Sequence, residues 1–251
     1  MSKHKSDAEI RAELSKLLKE SPMEIRESLV AQSIVRTTSL KFDTVKCGRC
    51  WLSTSECICC NATQVSSFQH TLFVIMHAEE YGRGSNTGAL PQVIMSPENV
   101  KVLVRGIPEH DAEIEVICSE PNTFVLFPKQ GAIPFAEYDS LTKLSQMASH
   151  ETRYNILIVD GTWTQAKKVL HSLPLTLPCV CLSSFTGLSE DLKRPMRAHT
   201  DPSRVCTLGA IILLLREMGC DPSVVQSLSE LLVLKSAVIC RGKKHSRIDG
   251  L

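Results

Sequence analysis

The chain has 251 residues, of which 43% are hydrophobic and 22% charged, and its formal net charge is +1. This length is enough to bury the core of one domain with appendages, and this composition excludes a chain that is disordered throughout. The nearly neutral charge gives no whole-molecule argument for a polyanionic partner, so any nucleic-acid site has to be a local patch.

The sequence indicates an intracellular protein. Its N-terminal stretch, MSKHKSDAEIR, lacks the apolar segment of a secretory signal, and the apolar run at 210–215 is too short to cross a bilayer. We therefore expect a cytoplasmic or nuclear protein that is neither secreted nor bound to a membrane. In a reducing compartment most of the 11 cysteines are then expected to be thiols or metal ligands.

Residues 1–45 are predicted to form a helical extension. Ile10, Leu14, Leu17 and Leu18 recur at helical spacing, and Pro22 marks a break before a second helical stretch. We expect this extension to dock on the rest of the protein without an active role.

A cysteine cluster at 46–62 follows. Cys47, Cys50, Cys57 and Cys59 have the spacing C-x2-C-x6-C-x-C, with Cys60 as an extra thiol. Two close pairs of thiolates complete a tetrahedral shell that suits Zn²⁺, and a closed four-thiolate site is structural because it has no open position. Redox chemistry at the first pair is the alternative, and the choice between Cys59 and Cys60 as fourth ligand stays open.

Strand-like and helix-like patterns alternate beyond the cluster. Apolar runs predict strands at 71–76, 101–104, 114–118, 123–127 and 156–159, with a further short strand at 179–182. Helical patterns fall at about 136–149, 164–172 and 207–218. This order predicts an α/β fold with a mostly parallel sheet flanked by helices.

Three polar loops follow predicted strands, with the sequences HAEEYGRGSNTG (77–88), PKQGAIP (128–134) and DGTW (160–163). In open parallel sheets, ligands bind beyond the carboxyl ends of the strands. The three loops are therefore expected to share one edge and to form a binding site there.

Together these motifs resemble the DTW-domain family, tRNA-uridine aminocarboxypropyltransferases related to the knotted SPOUT enzymes. The resemblance runs from about Cys47 to Arg216. It rests on the cysteine pattern, on His77-x-x-Glu80-x-x-Arg83-x-Ser85-Asn86-Thr87-Gly88, on Leu126-Phe127-Pro128, on Asp160-Gly161-Thr162-Trp163 and on Cys206-Thr207-Leu208. Each motif alone is weak evidence, whereas their order and spacing are specific.

The resemblance implies a reaction and a fold. The 3-amino-3-carboxypropyl group of S-adenosylmethionine would move to N3 of a tRNA uridine, with methylthioadenosine released. The fold would be SPOUT-like, with a C-terminal trefoil knot whose loops bind the cofactor, in a catalytic domain at 63–251. The alternatives are a SPOUT-type RNA methyltransferase and a zinc-stabilised RNA-binding protein without activity.

Three positions depart from the family pattern. The family usually has proline where Ala78 stands and an acidic residue near Gly209, and Cys60 has no counterpart. Loss of a carboxylate near Gly209 leaves open whether the activity is impaired.

Asp160 and Trp163 are the predicted catalytic residues. Uridine N3 is nucleophilic only after it loses its proton, and the Asp160 carboxylate is a candidate to accept that proton or to hold the N3–H. The alternative is that Asp160 caps the helix that follows it. Trp163 is expected to stack on the uracil or the adenine, with ordinary packing as its alternative.

The predicted cofactor-binding residues come from all the loops. Ser85, Asn86 and Thr87 offer polar groups for a carboxylate or a ribose, with Gly88 opening a helix. The other predicted members are Leu126, Phe127, Pro128, Gly161, Thr162 and Thr207. His77 is a candidate base, but a histidine after a buried strand is more often a structural hydrogen-bonder, which is the role we expect.

Basic side chains predict where tRNA, the expected partner, binds. They are Arg83, Lys193, Arg194, Arg197 and Arg204, with Lys243 and Lys244 in a second cluster near the C-terminus. Phosphate contacts from such clusters would make binding steeply salt-dependent. A surface salt bridge is the alternative for Arg83, and a solvated basic surface is the alternative for the two clusters. The oligomeric state and the uridine that is modified are not readable from the sequence.

Overall fold

The computed structural model describes residues 7–146, 152–183 and 205–248. The helices are α1 (Asp7–Glu20), α2 (Met23–Ser39), α3 (Pro91–Ile94), α4 (Pro108–Ser119), α5 (Phe135–Gln146), α6 (Trp163–His171), α7 (Thr207–Glu217) and α8 (Pro222–Ile248). The strands are β1 (Thr71–Met76), β2 (Val100–Val104), β3 (Thr123–Leu126), β4 (Ile133–Pro134), β5 (Asn155–Asp160) and β6 (Cys179–Cys181).

The strands form one sheet in the order β2-β1-β5-β3-β6-β4, and every described pair is parallel. The predicted α/β class with a parallel sheet is confirmed, as are the predicted strands that became β1, β2, β3, β5 and β6. The short strand β4 was not predicted because two residues carry no periodicity. Since parallel strands need crossover connections, helices cover both faces of the sheet.

The strand predicted at 114–118 is wrong, because these residues lie inside α4. Ile114 and Ile117, three positions apart, form the buried face, whereas Val116 is 60% exposed. Pro108 in the first turn and the acidic Glu109 and Asp111 favour a helix start. The alternation of apolar residues at 114, 116 and 118 thus reflects a helix of which only one side is buried.

The sheet divides the core into two layers. On one face, alternate strand residues such as Met76 and Ile158 pack against α5, α7, α8 and the cysteine segment (residues 46–62). On the other face, residues such as Ile75 and Val159 pack against α4 and α6. The cysteine segment contributes Cys50 and Trp51 to the first layer, so it is part of that hydrophobic core.

Helix α8 was not predicted from the sequence. Within the described residues, its segment Pro222–Arg241 is long and apolar enough to cross a membrane by length and composition, and half of it is buried inside the protein. Leu228, Leu231 and Leu232 are fully or almost fully buried in the first core layer. Packing against the core therefore accounts for the apolar residues in the buried half of this segment.

The predicted N-terminal helices are confirmed as α1 and α2. Ala31 of α2 packs against Ala78 and Val104 at the β2 edge of the sheet. The Ser28 hydroxyl donates to the Gly106 carbonyl over 2.6 Å. Helix α2 thereby covers the edge strand and the loop after β1.

Candidate active site and metal centre

The three predicted loops meet at one edge of the sheet. Strands β1 and β5 are neighbours, with Met76 paired to Asp160, and Leu126 of β3 is paired to Ile158 of β5. The His77 N–H donates to the Asp160 carbonyl over 3.0 Å, which extends the pairing by one residue. The register of three parallel strands therefore brings the carboxyl-end loops together, as the sequence predicted.

A cavity of 510 Å³ opens at this edge, a size within the usual range for small-molecule sites. Its walls include six of the predicted site residues: Leu126, Phe127, Pro128, Gly161, Trp163 and Thr207. Leu182, Val205 and Ala210 add further apolar surface. Such a mostly apolar cleft with a few polar groups at its rim is typical of small-molecule sites.

Trp163 stands at the mouth of this cavity. It is the first residue of α6, its side chain is 37% exposed, and its ring lies edge-on to Phe127 with the centroids 5.7 Å apart. The helix begins there because Thr162 caps it: the Thr162 hydroxyl accepts from the Gln165 N–H, and the Gln165 side chain accepts from the Thr162 N–H. The cap is thus Thr162 and not Asp160.

The Asp160 carboxylate lies behind the cavity wall. The residue is 3% exposed, Asn86 Nδ2 donates to its Oδ2 over 2.5 Å, and the Thr207 hydroxyl donates to its Oδ1. Gly88 is pressed against the same group, since a Cβ there would come within 2.7 Å of the Asp160 Cγ. Asp160 therefore connects the loop after β1 to the start of α7.

Two of the three residues in the SNT segment (85–87) of the first loop are directed into the protein, whereas Ser85 is half-buried. Asn86 and Thr87 are buried: the Asn86 side-chain oxygen accepts from the Ala89 N–H, and the Thr87 hydroxyl accepts from the Leu208 N–H. Neither residue lines the described cavity, nor do Ser85, Asp160 and Thr162. The expectation that Gly88 opens a helix is wrong, because α3 begins at Pro91 and is a single turn.

Lys167 is a cavity residue that the sequence reasoning missed. It lies four positions after Trp163, and both side chains line the cavity from α6. Residues four positions apart lie on the same face of a helix, so the spacing from Trp163 is the sequence signal that could have identified Lys167. An ammonium group at this position is suited to an anionic substituent of a ligand.

The remaining predicted polar residues have defined surroundings. Arg83 pairs with the buried Glu80 over 2.9 Å and is itself 46% exposed. His77 caps the turn Ala78–Glu80 through its Nδ1, which accepts from the Glu79 N–H, so its structural role is confirmed. Gly209 is buried in the first turn of α7, where its N–H donates to the Cys206 sulfur.

The predicted basic clusters are largely outside the described residues. Lys193, Arg194, Arg197 and Arg204 all lie in the segment 184–204, which the structure does not describe. Lys243 and Lys244 belong to the last turns of α8, where only the helical backbone is described.

Four cysteine sulfurs converge as the spacing predicted. The Sγ atoms of Cys47, Cys50, Cys57 and Cys59 all lie within 4.8 Å of one another. Cys47 and Cys59 are 3.6 Å apart, and Cys50 and Cys57 are 3.8 Å apart. A tetrahedral Zn²⁺ with Zn–S bonds of about 2.3 Å requires edges of about 3.8 Å, so the donor set fits this ion.

The fifth thiol is directed elsewhere. Cys60 is exposed, and its Sγ donates to the Asn61 side-chain oxygen over 2.8 Å. The described sulfur cluster therefore contains Cys59 and not Cys60.

The thiols of the cluster compete for negative charge. Burial raises the pKa of Cys47, but the N–H groups of Cys50 and Arg49 and two neighbouring thiols donate to its sulfur and lower the pKa to about 7. Burial raises the pKa of Cys50 and Cys59, and neighbouring cysteines raise it further. Without a cation only part of the cluster ionises readily, and a divalent cation would favour all four thiolates.

Comparison with known proteins agrees with these motifs. The family model of the DTW domain matches residues 44–239 of the chain. These residues include the sulfur cluster, the cavity and most of α8. The chain belongs to the DTW-domain family. The matched range begins at the cysteine segment, after α1 and α2, so the two N-terminal helices precede the DTW domain.

Curated relatives of this DTW domain carry one name. A protein of Mus musculus called tRNA-uridine aminocarboxypropyltransferase 2 is 29% identical over 134 residues, 50% of this chain and 41% of the relative. A protein of Drosophila melanogaster with that name is 28% identical over 108 residues, 41% of this chain and 39% of the relative. The chain thus matches about two fifths of their length. No solved structure matches it significantly.

Proposed function

We propose that this DTW domain transfers the 3-amino-3-carboxypropyl group of S-adenosylmethionine to N3 of a tRNA uridine and releases methylthioadenosine. The observation that carries the proposal is the 510 Å³ cavity formed by Leu126, Phe127 and Pro128, by the DGTW loop (160–163) and by the start of α7. The similar proteins named as tRNA-uridine aminocarboxypropyltransferases support the reaction class. The cofactor would supply an electrophilic carbon next to its sulfonium.

The cavity residues have separate tasks in this proposal. Leu126, Phe127 and Pro128 would enclose an adenine, and Trp163 at the mouth would stack on a base. Lys167 would bind the carboxylate of the aminocarboxypropyl group. Exclusion of water by these apolar walls would strengthen the polar contacts inside and limit hydrolysis.

Asp160 has two possible tasks. Its 3% exposure and its two side-chain donors support a positioning role, in which it fixes Asn86 and Thr207 and so the shape of the cavity. Acceptance of the uridine proton would require the carboxylate to come within hydrogen-bond reach of N3. The pH profile of Asp160→Asn distinguishes the two roles. If Asp160 is the base, the wild-type rate depends on ionisation of its carboxyl group, and the variant loses this dependence.

The metal centre is proposed to hold a structural Zn²⁺. Four thiolates leave no open coordination position, so the ion would stabilise the fold and would not bind the substrate. Its place in the first core layer, next to α8, supports this role.

Two further features are proposed from the family resemblance. The fold would be SPOUT-like with a C-terminal trefoil knot, and the basic residues at 193–204 and 243–244 would contact tRNA phosphates. An experimental structure with traced density for 184–204 would test the knot.

The reaction itself is tested with unmodified tRNA, S-adenosylmethionine and the purified chain. Mass spectrometry of the nucleosides should show uridine heavier by one aminocarboxypropyl group, and the small-molecule fraction should contain methylthioadenosine. S-adenosylhomocysteine with methylated uridine would instead indicate an RNA methyltransferase. Cofactor binding without any product would favour the non-catalytic alternative, which the glycine at 209 motivates.

A further inference from the structure

A lysine is buried beside the metal centre. Lys235 lies in α8 within the apolar sequence LLVLKSAVI and is 1% exposed. Its Nζ donates to the Cys50 carbonyl over 2.8 Å, so the ammonium is directed at the cysteine segment, 185 positions away in sequence. Lysine is almost never fully buried unless it is paired, and the reaction proposed above gives this one no task.

The surroundings of this ammonium are acidic. The acidic groups that interact with it electrostatically are the thiols of Cys50, Cys59 and Cys47 and the Asp160 carboxyl group. Three of these four groups are sulfurs of the cluster. The Lys235 side chain thus extends from α8 to the sulfur cluster, which becomes negatively charged when its thiols ionise.

The charge of a filled site makes such a cation useful. Four thiolates around one Zn²⁺ carry a net charge of about −2. An unbalanced charge of this size is costly in a partly buried site, and one ammonium group halves it. Three other described cations near the cluster are less buried: Lys46 is half-buried and donates to the Gly82 carbonyl, and Arg49 and Arg241 are exposed.

We propose that Lys235 is the charge-balancing residue of the metal centre, which stabilises the zinc-bound thiolates and ties α8 to them through the Cys50 carbonyl. The inference rests on the proposed Zn²⁺ site and is independent of the transferase reaction. Lys235 acts through the ligands and is a positioning residue. Groups of this kind around metal ligands typically change metal affinity by about 10–100-fold.

The test compares Lys235→Met with the wild-type chain. Methionine has a similar volume without charge, so the variant removes the buried ammonium together with its hydrogen bond to the Cys50 carbonyl. We expect the dissociation constant for Zn²⁺, measured by competition with a chromogenic chelator, to be about 10–100-fold higher for Lys235→Met than for the wild type. The unfolding midpoint of the metal-free variant should stay close to that of the metal-free wild type, because relief of the buried charge and loss of the hydrogen bond to the Cys50 carbonyl oppose each other.

Two variants serve as controls. Lys235→Arg keeps the charge and should retain Zn²⁺ more tightly than Lys235→Met. Arg241→Met removes an exposed charge from the same helix, beside the groove lined by Glu56 and Cys57, and should release Zn²⁺ like the wild type. Co²⁺-substituted protein gives a second readout, since the thiolate-to-metal absorption reports how many cysteines ligate at a given pH.

The outcomes are distinguishable. Weaker metal retention together with undiminished metal-free stability supports charge balancing, because loss of packing would lower both. Equal Zn²⁺ retention in Lys235→Met and wild type overturns the role of Lys235 and leaves the metal site intact. A wild-type chain that binds no Zn²⁺ overturns the metal site and the role of Lys235 together.

Discussion

Asn86 donates its side-chain N–H to the Asp160 carboxylate over 2.5 Å and thereby joins the loop after β1 to the end of β5. The same Asn86 side chain accepts from the Ala89 N–H, so it fixes its own loop as well as the strand end. Thr207 supplies a second donor to Asp160 from α7. Asp160 thus ties together the loop after β1, the end of β5 and the start of α7, of which the last two border the cavity.

Asn86→Ala should weaken both folding and the proposed transfer. A buried carboxylate that loses a donor costs roughly 1–3 kcal/mol, so we expect a lower unfolding midpoint and a rate reduced about tenfold or more. Gln92→Ala is the control, since the Gln92 side chain donates to the Arg49 carbonyl and lies outside the described cavity. Wild-type transfer by Asn86→Ala would contradict the positioning role of the Asn86–Asp160 pair.

Cys59→Ser and Cys60→Ser should differ although the two positions are adjacent. Cys59 Sγ lies 3.6 Å from Cys47 Sγ, whereas Cys60 Sγ is directed at Asn61. We expect Cys59→Ser to lose stoichiometric Zn²⁺ and Cys60→Ser to keep it, as measured by elemental analysis of the folded proteins. Full Zn²⁺ content in a double Cys47→Ser, Cys50→Ser variant would refute the site.

Salt dependence should reveal the tRNA contacts. Reversal of charge at Lys193, Arg194 and Arg197 should weaken tRNA binding and flatten its dependence on salt, because each lost phosphate contact lowers the slope by about one. Binding is measured by filter retention at several salt concentrations. Lys101→Glu with Lys143→Glu is the control, since these lysines pair with Glu113 and Asp139. Unchanged affinity in the triple variant would move the RNA site elsewhere.

The sequence predicted the carboxyl-edge loops because strand runs and polar loops alternate in it, and parallel strands bring such loops together whatever their separation in the chain. It predicted the sulfur cluster because ligand spacing is local. It did not predict that the Asp160 carboxylate is buried behind the cavity wall, because the register of β5 and the contact with Gly88 depend on how distant segments pack together. Lys235 was missed for a related reason: a lone lysine in an apolar helix acquires its partner from a segment 185 positions away.

His70 should make folding stability depend on pH. It is 2% exposed, its Nδ1 accepts from the Tyr154 N–H, and burial followed by the Arg153 charge lowers its pKa to about 4. The unfolded chain, with a histidine pKa of about 6.5, binds more protons between these values. Stability is therefore complete above pH 6.5 and is lost as pH falls towards 4.

The size of this effect is set by the difference between the two pKa values. Between pH 7 and pH 5 the His70 contribution should fall by about 2 kcal/mol. Urea unfolding of wild type and His70→Asn at both pH values isolates it, because asparagine can still accept from the Tyr154 N–H but does not titrate. Equal losses of stability in the two proteins would contradict the assignment.

Trp163→Ala should weaken binding of S-adenosylmethionine without unfolding the chain. The ring is 37% exposed and lines the cavity beside Phe127, so its removal leaves the core layers intact. Stacking on a base contributes roughly 1–3 kcal/mol, which corresponds to about 5–150-fold in affinity. Equilibrium dialysis with labelled cofactor measures the change, and Trp163→Phe should recover part of it.

The location of the second tryptophan supplies an independent readout. The chain has 2 tryptophans, and Trp51 is 2% exposed in the first core layer with its ring against Phe42 and Tyr81. Cofactor binding should therefore quench the fluorescence of Trp163 and leave that of Trp51 unchanged, so the quench should vanish in Trp163→Phe. If Trp163 stacks on the uracil and not on the adenine, Trp163→Ala will bind the cofactor normally and lose affinity for tRNA. If Trp163→Ala binds both the cofactor and tRNA with normal affinity, Trp163 has no stacking role and only packs against Phe127.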